Sequence, residues 1–425
     1  MLRTESPPAA PYTAEPAANT TGRGSPRRVV DPEAARAVVW PFLATRLAFL
    51  LIGLTAPALF SDHPIRAGAP PGTGWVRWDA QWFIGIAAHG YTWSLAPHYS
   101  AAAFFPLYPL AIHVLGLTGL DLGLAGALIA NASFLGALYY LYRLVRLDEA
   151  APTATRAIWL LALFPTALVF FIPYTESLYL LLAVLTLWYL RRRRWLAAGV
   201  AGALGALTRQ TGLVLLAPYL IEWWMAYRQR REWASDDAHE TCETSKTTWR
   251  ALPPALLMPL AVAGHLAYLW RVTGSPTAFL RVQRAWHRQF SAPWSGIVAT
   301  VQRWTRSPGT SHPFTTPVQH IHMVLELGAV LLFLGLLALG ARRVRPSYTV
   351  YAGAVWLAAL LSPAIDDGFQ LPLMSSSRFA LSVFPSFIVL SLLLRRPGPY
   401  QAWLTASAML LGLVTTFYIL GGWVA

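Results

Sequence analysis

The chain has one cysteine, Cys242, and one lysine, Lys246, in 425 residues. A single thiol excludes an intrachain disulfide and any metal site built from cysteines. Charged residues make up 12% of the sequence, about half the ~25% of a soluble domain. Positive charge comes almost wholly from arginine and sums to a net +14. The arginines stand in short loops between apolar runs, which is the pattern of topology signals and not of a basic groove, so nucleic acid is excluded as a partner. The chain also lacks a fixed-period repeat and a duplication of halves.

Apolar sequence fills the space instead, with hydrophobic residues at 56%. Runs near the length of a bilayer core recur at 38–60, 104–119, 123–142, 157–172, 176–190, 195–208, 211–227, 252–272, 321–341, 347–362, 378–394 and 400–421. They predict an all-α polytopic membrane protein with one bundle over 38–425. Residues 1–37, rich in Pro, Ala and Thr, read as a disordered cytoplasmic tail. No cleavable signal with an apolar core precedes the first run.

The segment 104–119 decides the topology, because its two prolines, one histidine and two glycines make it a poor span. If it dips in and returns, Arg143, Arg146, Arg191–Arg194, Arg228–Arg231, Arg342–Arg345, Arg395 and Arg396 all face the cytoplasm, as positive loops require. The expectation is about eleven transmembrane helices plus a re-entrant or juxtamembrane helix. External loops lie at 61–122 and 273–320, with a cytoplasmic linker at 228–250. Polar residues that topology does not explain then gather on the external face, at 61–122, Ile172–Ser177, Thr208–Gly212, 273–320 and Asp366–Arg378.

The stretch "RWDAQWFIGIAAHGY", Arg77 to Tyr91, sets charge among aromatic rings. Its spacing predicts a short helix lying flat at the headgroup level, where Trp78 and Trp82 are at home. Asp79 there reads either as a helix cap or as a general base at the membrane surface. Glu176, in "PYTES", reads as an acid favoured at a helix start or as a second acidic group of a site. His89 reads as a solvated histidine or a sugar contact. The external arginines Arg77, Arg209, Arg281, Arg284, Arg288 and Arg378 read as headgroup contacts or as phosphate ligands. Arg378 and Arg209 rank first because they stand at span mouths, followed by Arg77. "RVQRAWHRQF", Arg281 to Phe290, predicts an amphipathic surface helix with Arg281, Arg284 and Arg288 on one face. Trp286 and Trp294 there suit either a sugar or the interface. Asp366 and Asp367 read as solvated loop acids or as ligands of a divalent metal, for which a bare Asp-Asp pair is a weak signal. Arg46, one-third into the first run, is expected to snorkel inward.

The Arg77–Tyr91 stretch, followed by "AFFPLYPL" at Ala103–Leu110, resembles the signature of the PIG-V-type mannosyltransferases, integral-membrane enzymes of the GT-C class. "FPTALVFFIPYTESLYLLL" at Phe164–Leu182 is similar to that family's Pro-rich segment ending near a Tyr-Ser/Thr-Glu. "GALTRQTGLVLL" at Gly205–Leu216 resembles its Arg-Ser-Asn-Gly segment, with Gln210 and Thr211 in place of the usual pair. "SSSRFALSVFPSF" at Ser375–Phe387 is similar to its late Arg-Tyr segment, with Phe379 for Tyr. The resemblance runs from about Trp40 to Arg396.

It implies a GT-C-like bundle and transfer of mannose from a polyprenyl- or dolichyl-phosphate donor to a hydroxyl of a glycolipid acceptor, on the external or lumenal face. Eukaryotic members build the glycolipid anchor of surface proteins. It also implies that Asp79 is the functional acid of the first external loop. Arg378, Arg209, Arg77, Glu176, Trp78, His89 and Arg284 are then donor-phosphate or substrate contacts. Direct attack would invert the sugar without a covalent sugar-enzyme intermediate; no cofactor is certain, and a divalent metal is possible but not indicated. The chain reads as a bacterial-looking member in the plasma (inner) membrane, among membrane lipids, with its active site outside. A polytopic transporter or flippase is the competing class, but that class calls for matched halves and mid-membrane ionisable groups. A GT-C enzyme moving another sugar, such as arabinose or glucose, stays open.

Overall fold

The computed structural model describes residues 31–60, 73–91, 100–234, 249–305, 317–365 and 371–423. Among them no strand forms beyond one isolated bridge, Arg288 with Ala364. The helices run α1 Pro32–Phe60, α2 Asp79–His89, α3 Leu107–Gly116, α4 Leu122–Val145, α5 Ala151–Ala162, α6 Glu176–Arg191, α7 Trp195–Thr208, α8 Leu216–Ala234, α9 Leu257–Thr273, α10 Ala278–Ala285, α11 Ser295–Thr305, α12 Pro317–Gly340, α13 Pro346–Leu360, α14 Ser376–Ser382, α15 Phe384–Leu393 and α16 Pro397–Ile419.

Helix α1 starts at Pro32, inside the stretch expected to be tail. Asp31 explains this: its carboxylate accepts from the amides of Glu33 and Ala34 at 3.0 and 3.3 Å, the work of an N-cap. The rest of the expected tail, 1–30, lies outside the described residues. Helix α8 likewise continues through Ala234, into the stretch expected as cytoplasmic linker.

The bundle is greasy inside and out. Phe134, Leu138, Phe170, Tyr179, Phe333, Trp356, Phe384 and Phe387 sit in one fully buried core. Trp40, Leu47 and Leu54 of α1 and Met409 and Leu413 of α16 point outward and are 60–75% exposed. An apolar face turned away from the core suits lipid, not water.

Among the described residues five helices are long and apolar enough to cross a membrane, or six if the bent pair α14–α15 counts as one span. Several of the runs counted toward eleven are shorter helices. The run 157–172 ends as helix at Ala162 and continues as a 3-10 turn at Ala167–Phe170, and Gln210–Leu215 forms another. Irregular backbone at membrane depth is tolerated where it is buried in protein or lines a cavity, and here it does both. Helix α3 has 10 residues, a rise of about 15 Å and half a bilayer core.

Arg46 does not snorkel. It is 9% exposed, donating to Asn131 Oδ1, Thr45 Oγ1 and the Phe170 carbonyl at 2.7–2.8 Å. The Phe42 and Phe134 rings also pack against its guanidinium, at 4.6 and 4.5 Å. Three acceptors from within the bundle replace the water it would otherwise seek.

Candidate active site

The loop before α2 is tied to the far end of the chain. Tyr418 Oη donates to the Trp75 carbonyl at 3.1 Å. Arg77 donates to the Gly74 and Ile419 carbonyls at 3.2 and 3.3 Å. Arg77 therefore spends its guanidinium on backbone, and it does not line the cavity described below. Trp78 occupies the N-cap position with φ 55° and makes no side-chain cap hydrogen bond. Its ring is 43% exposed, outside the cavity.

Asp79 is the first residue of α2, and its carboxylate makes no capping bond. It accepts from Arg378 Nη1 at 2.7 Å. Arg378 Nε lies 3.0 Å from Glu176 Oε1, and Arg209 pairs with the same Glu176 oxygen. Arg209 Nη1 also reaches Thr175 Oγ1 at 3.4 Å. Asp79, Arg378, Glu176 and Arg209 thus form one continuous chain of charge from four parts of the sequence.

Glu176, at the start of α6, is 1% exposed. Burying a carboxylate so far from water requires partners, and two guanidiniums supply them. Its second oxygen has no hydrogen-bond partner among the described residues.

A third arginine joins them. The Arg209 and Arg288 guanidiniums each lie 5.4 Å from the Phe379 ring centre. Arg288 donates to the Ser362 carbonyl at 3.0 Å. Desolvation and the like charges of Arg378 and Arg209 push Arg288 down to about 10. Three guanidiniums thus stand against two carboxylates around one cavity, and an anion would balance them.

That cavity measures about 140 Å³ and is lined by Asp79, Phe83, Phe104, Arg209, Trp286, Arg288, Arg378, Phe379 and Trp423, among others. A second space of about 930 Å³ shares Gln210, Thr211, Gln283 and Arg288 with it. Phe104 and Trp286 line the first cavity, their ring centres 5.9 Å apart, and Trp82 packs against both at 5.8 and 6.4 Å.

The expected residues divide. Asp79, Glu176, Arg209 and Arg378 meet. Arg284 lines only the second space, and His89 is exposed at the opposite end of α2 from Asp79. The expected single face of Arg281, Arg284 and Arg288 is broken. Helix α10 ends at Ala285, and His287 adopts φ 57°, which swings Arg288 off that face and into the cavity. Trp423 lines the cavity from beyond α16 with no motif to announce it. Among the described residues no group of three or more His, Cys, Asp or Glu could hold a metal ion. Asp366 and Asp367 lie outside those residues.

Residues 72–226 match the family described as Mannosyltransferase (PIG-V). The GPI alpha-1,6-mannosyltransferase 2 of Rattus norvegicus is 32% identical over 196 residues, covering 39% of this chain and 38% of that protein. The GPI mannosyltransferase 2 of Cryptococcus neoformans is 31% identical over 179 residues, covering 39% of this chain and 40% of that protein. The matches therefore take in about two-fifths of the relatives' own length. ArnT from Cupriavidus metallidurans, solved with undecaprenyl phosphate, is 14% identical with a TM-score of 0.47, over 86% of this chain and 62% of that one. The Archaeoglobus fulgidus oligosaccharyltransferase in its apo form is 15% identical with a TM-score of 0.40, over 89% of this chain and 55% of that one.

Proposed function

We propose, from the match of residues 72–226 to the PIG-V mannosyltransferase family, that this chain is a membrane glycosyltransferase. It transfers mannose from a polyprenyl-phosphate donor to a hydroxyl of a glycolipid acceptor. The reaction takes place on the external face of the plasma (inner) membrane, where the arginine-rich loops left on the opposite side support the orientation.

The observation that carries the reading is the ion pair of Asp79 with Arg378 at the edge of a cavity ringed by Arg209 and Arg288. A lipid-phosphate sugar brings its own leaving group. What the enzyme must supply is a base for the acceptor hydroxyl and positive charge for the departing phosphate. Arginine's planar fork matches phosphate oxygens, and the ring of guanidiniums has charge to spare. In the resting site Arg378 is paired with Asp79. An incoming phosphate competes for that guanidinium and leaves the Asp79 carboxylate able to accept the acceptor's proton. The acceptor oxygen then attacks the sugar carbon as the carbon–phosphate oxygen bond breaks. The product is an inverted glycoside and a lipid phosphate held by the arginines. Glu176 keeps Arg209 and Arg378 at fixed spacing.

The test is the rate of mannose transfer from a radiolabelled polyprenyl-phosphate donor by Asp79→Asn in membranes with matched protein levels. General-base catalysis is worth about 10²–10⁴-fold, and a loss of that order is expected with donor binding retained. Near wild-type turnover would rule out Asp79 as the base.

A further inference from the structure

Helix α12 carries one acid in its apolar run. Between His322 and Gly340 the only Asp, Glu, Lys or Arg is Glu326. An ionisable group inside a span is costly and kept only with a partner or a task. Glu326 is 2% exposed and does not line the cavity. Its two oxygens are both used: one accepts from the Ser377 backbone amide at 2.6 Å, the other from Ser377 Oγ at 2.9 Å. The opposite edge of the same residue is held too, with Thr166 Oγ1 donating to the Ser377 carbonyl at 3.0 Å.

The segment so held cannot hold itself. Helix α14 is 7 residues long and bends by 82° from α15. The residue before it, Ser375, is left-handed at φ 68° and offers no side-chain cap. An amide at a helix start needs an acceptor, and Glu326 provides it from another helix. Arg378 is the next residue along, bridging Asp79 and Glu176.

We propose that Glu326 is a positioning residue: by clamping Ser377 to α12 it sets the direction from which the Arg378 guanidinium enters the site. This rests on the reading of Arg378 as a phosphate ligand, which the test separates from the clamp itself. Misplacement by about 1 Å can cost of the order of 10²-fold in rate, so the clamp matters without touching substrate.

Two measurements on the purified full-length enzyme decide it. The first is amide hydrogen exchange, which reports local opening. In Glu326→Ala the amides of 377–379 should exchange about tenfold faster or more, with α4 and α6 unchanged. Unchanged exchange at 377–379 overturns the clamp. The second is a double-mutant cycle with Arg378→Ala, since residues acting through one another are not additive. Glu326→Ala alone should lower kcat/KM by about 10–100-fold, mainly through donor KM, yet add less than about twofold in the Arg378→Ala background. Losses that multiply would show that Glu326 acts elsewhere and overturn the positioning role. Full turnover in Arg378→Ala would sink the phosphate reading, and the exchange arm would still judge the clamp. Should Glu326→Ala fail to accumulate, Glu326→Gln, which keeps the shape and one acceptor oxygen, is read by the same pair of measurements with smaller expected shifts in the same direction.

Discussion

Arg378 touches both acids of the site, through Nη1 to Asp79 and Nε to Glu176. One planar fork makes both contacts, and an ammonium on a flexible stem cannot. Arg378→Lys is therefore expected to keep the charge and still lose at least about tenfold in transfer, measured as donor-dependent mannose incorporation. Equal rates would show that charge alone suffices. Glu176→Gln is expected to be worse than a surface change. It leaves Arg209 and Arg378 facing each other with one fewer negative charge, and the donor KM should rise. Asp79, Glu176, Arg209 and Arg378 were legible in the sequence because polar residues at span mouths stand out against an apolar background. Arg288 was not separable from Arg284. The turn at His287 that parts them depends on what the loop packs against, and two arginines three or four apart read alike on paper. Glu326 left a signal, a lone acid in an apolar run, whose meaning lay in Ser377, 51 residues on.

At the scale of elements, helical periodicity identified most of the helices but misjudged where they stop. The 3-10 turns at Ala167–Phe170 and Gln210–Leu215 sit inside stretches as apolar as the helices around them, so hydropathy reads straight through. The first has a tertiary cause: Asn131 Nδ2 and Arg46 take the Phe171 and Phe170 carbonyls, at 2.9 and 2.8 Å, that a continuous helix would have used. Arg46→Met removes a donor to three acceptors. An unpaired buried acceptor costs about 1–3 kcal/mol, so the variant should melt at a lower temperature in detergent, with Asn131→Ala adding little on top. The short α3 bears on sidedness. In a Cys242→Ser background, Thr118→Cys is expected to react with an impermeant thiol reagent from outside and Arg192→Cys only after the membrane is opened. Reaction of both from one side would require α3 and its neighbours to cross differently.

For the whole molecule, the cavity draws on α2, the turn before α6, the ends of α7 and α10, the α14 segment and Trp423. No contiguous piece of the chain contains it. The family match ends at residue 226, whereas Arg288, Arg378 and Trp423 come after. Exchanging the stretch after 226 for that of a relative is expected to leave the Asp79 loop in place but change which acceptors are used, read by the spectrum of labelled glycolipids. An unchanged spectrum would confine acceptor choice to the first half.

The strap from Arg77 to the Ile419 carbonyl joins residues 342 apart in the chain. Translation runs at about 5–20 residues per second, so the ribosome needs roughly 17–70 s to travel that distance. For that whole interval the Asp79 loop is already outside the ribosome without the backbone that seats it. On the proposed function, the site stays incomplete until Tyr418 and Ile419 have been made, and a chain stalled before Tyr418 is expected to show no transfer in the mannose-incorporation assay.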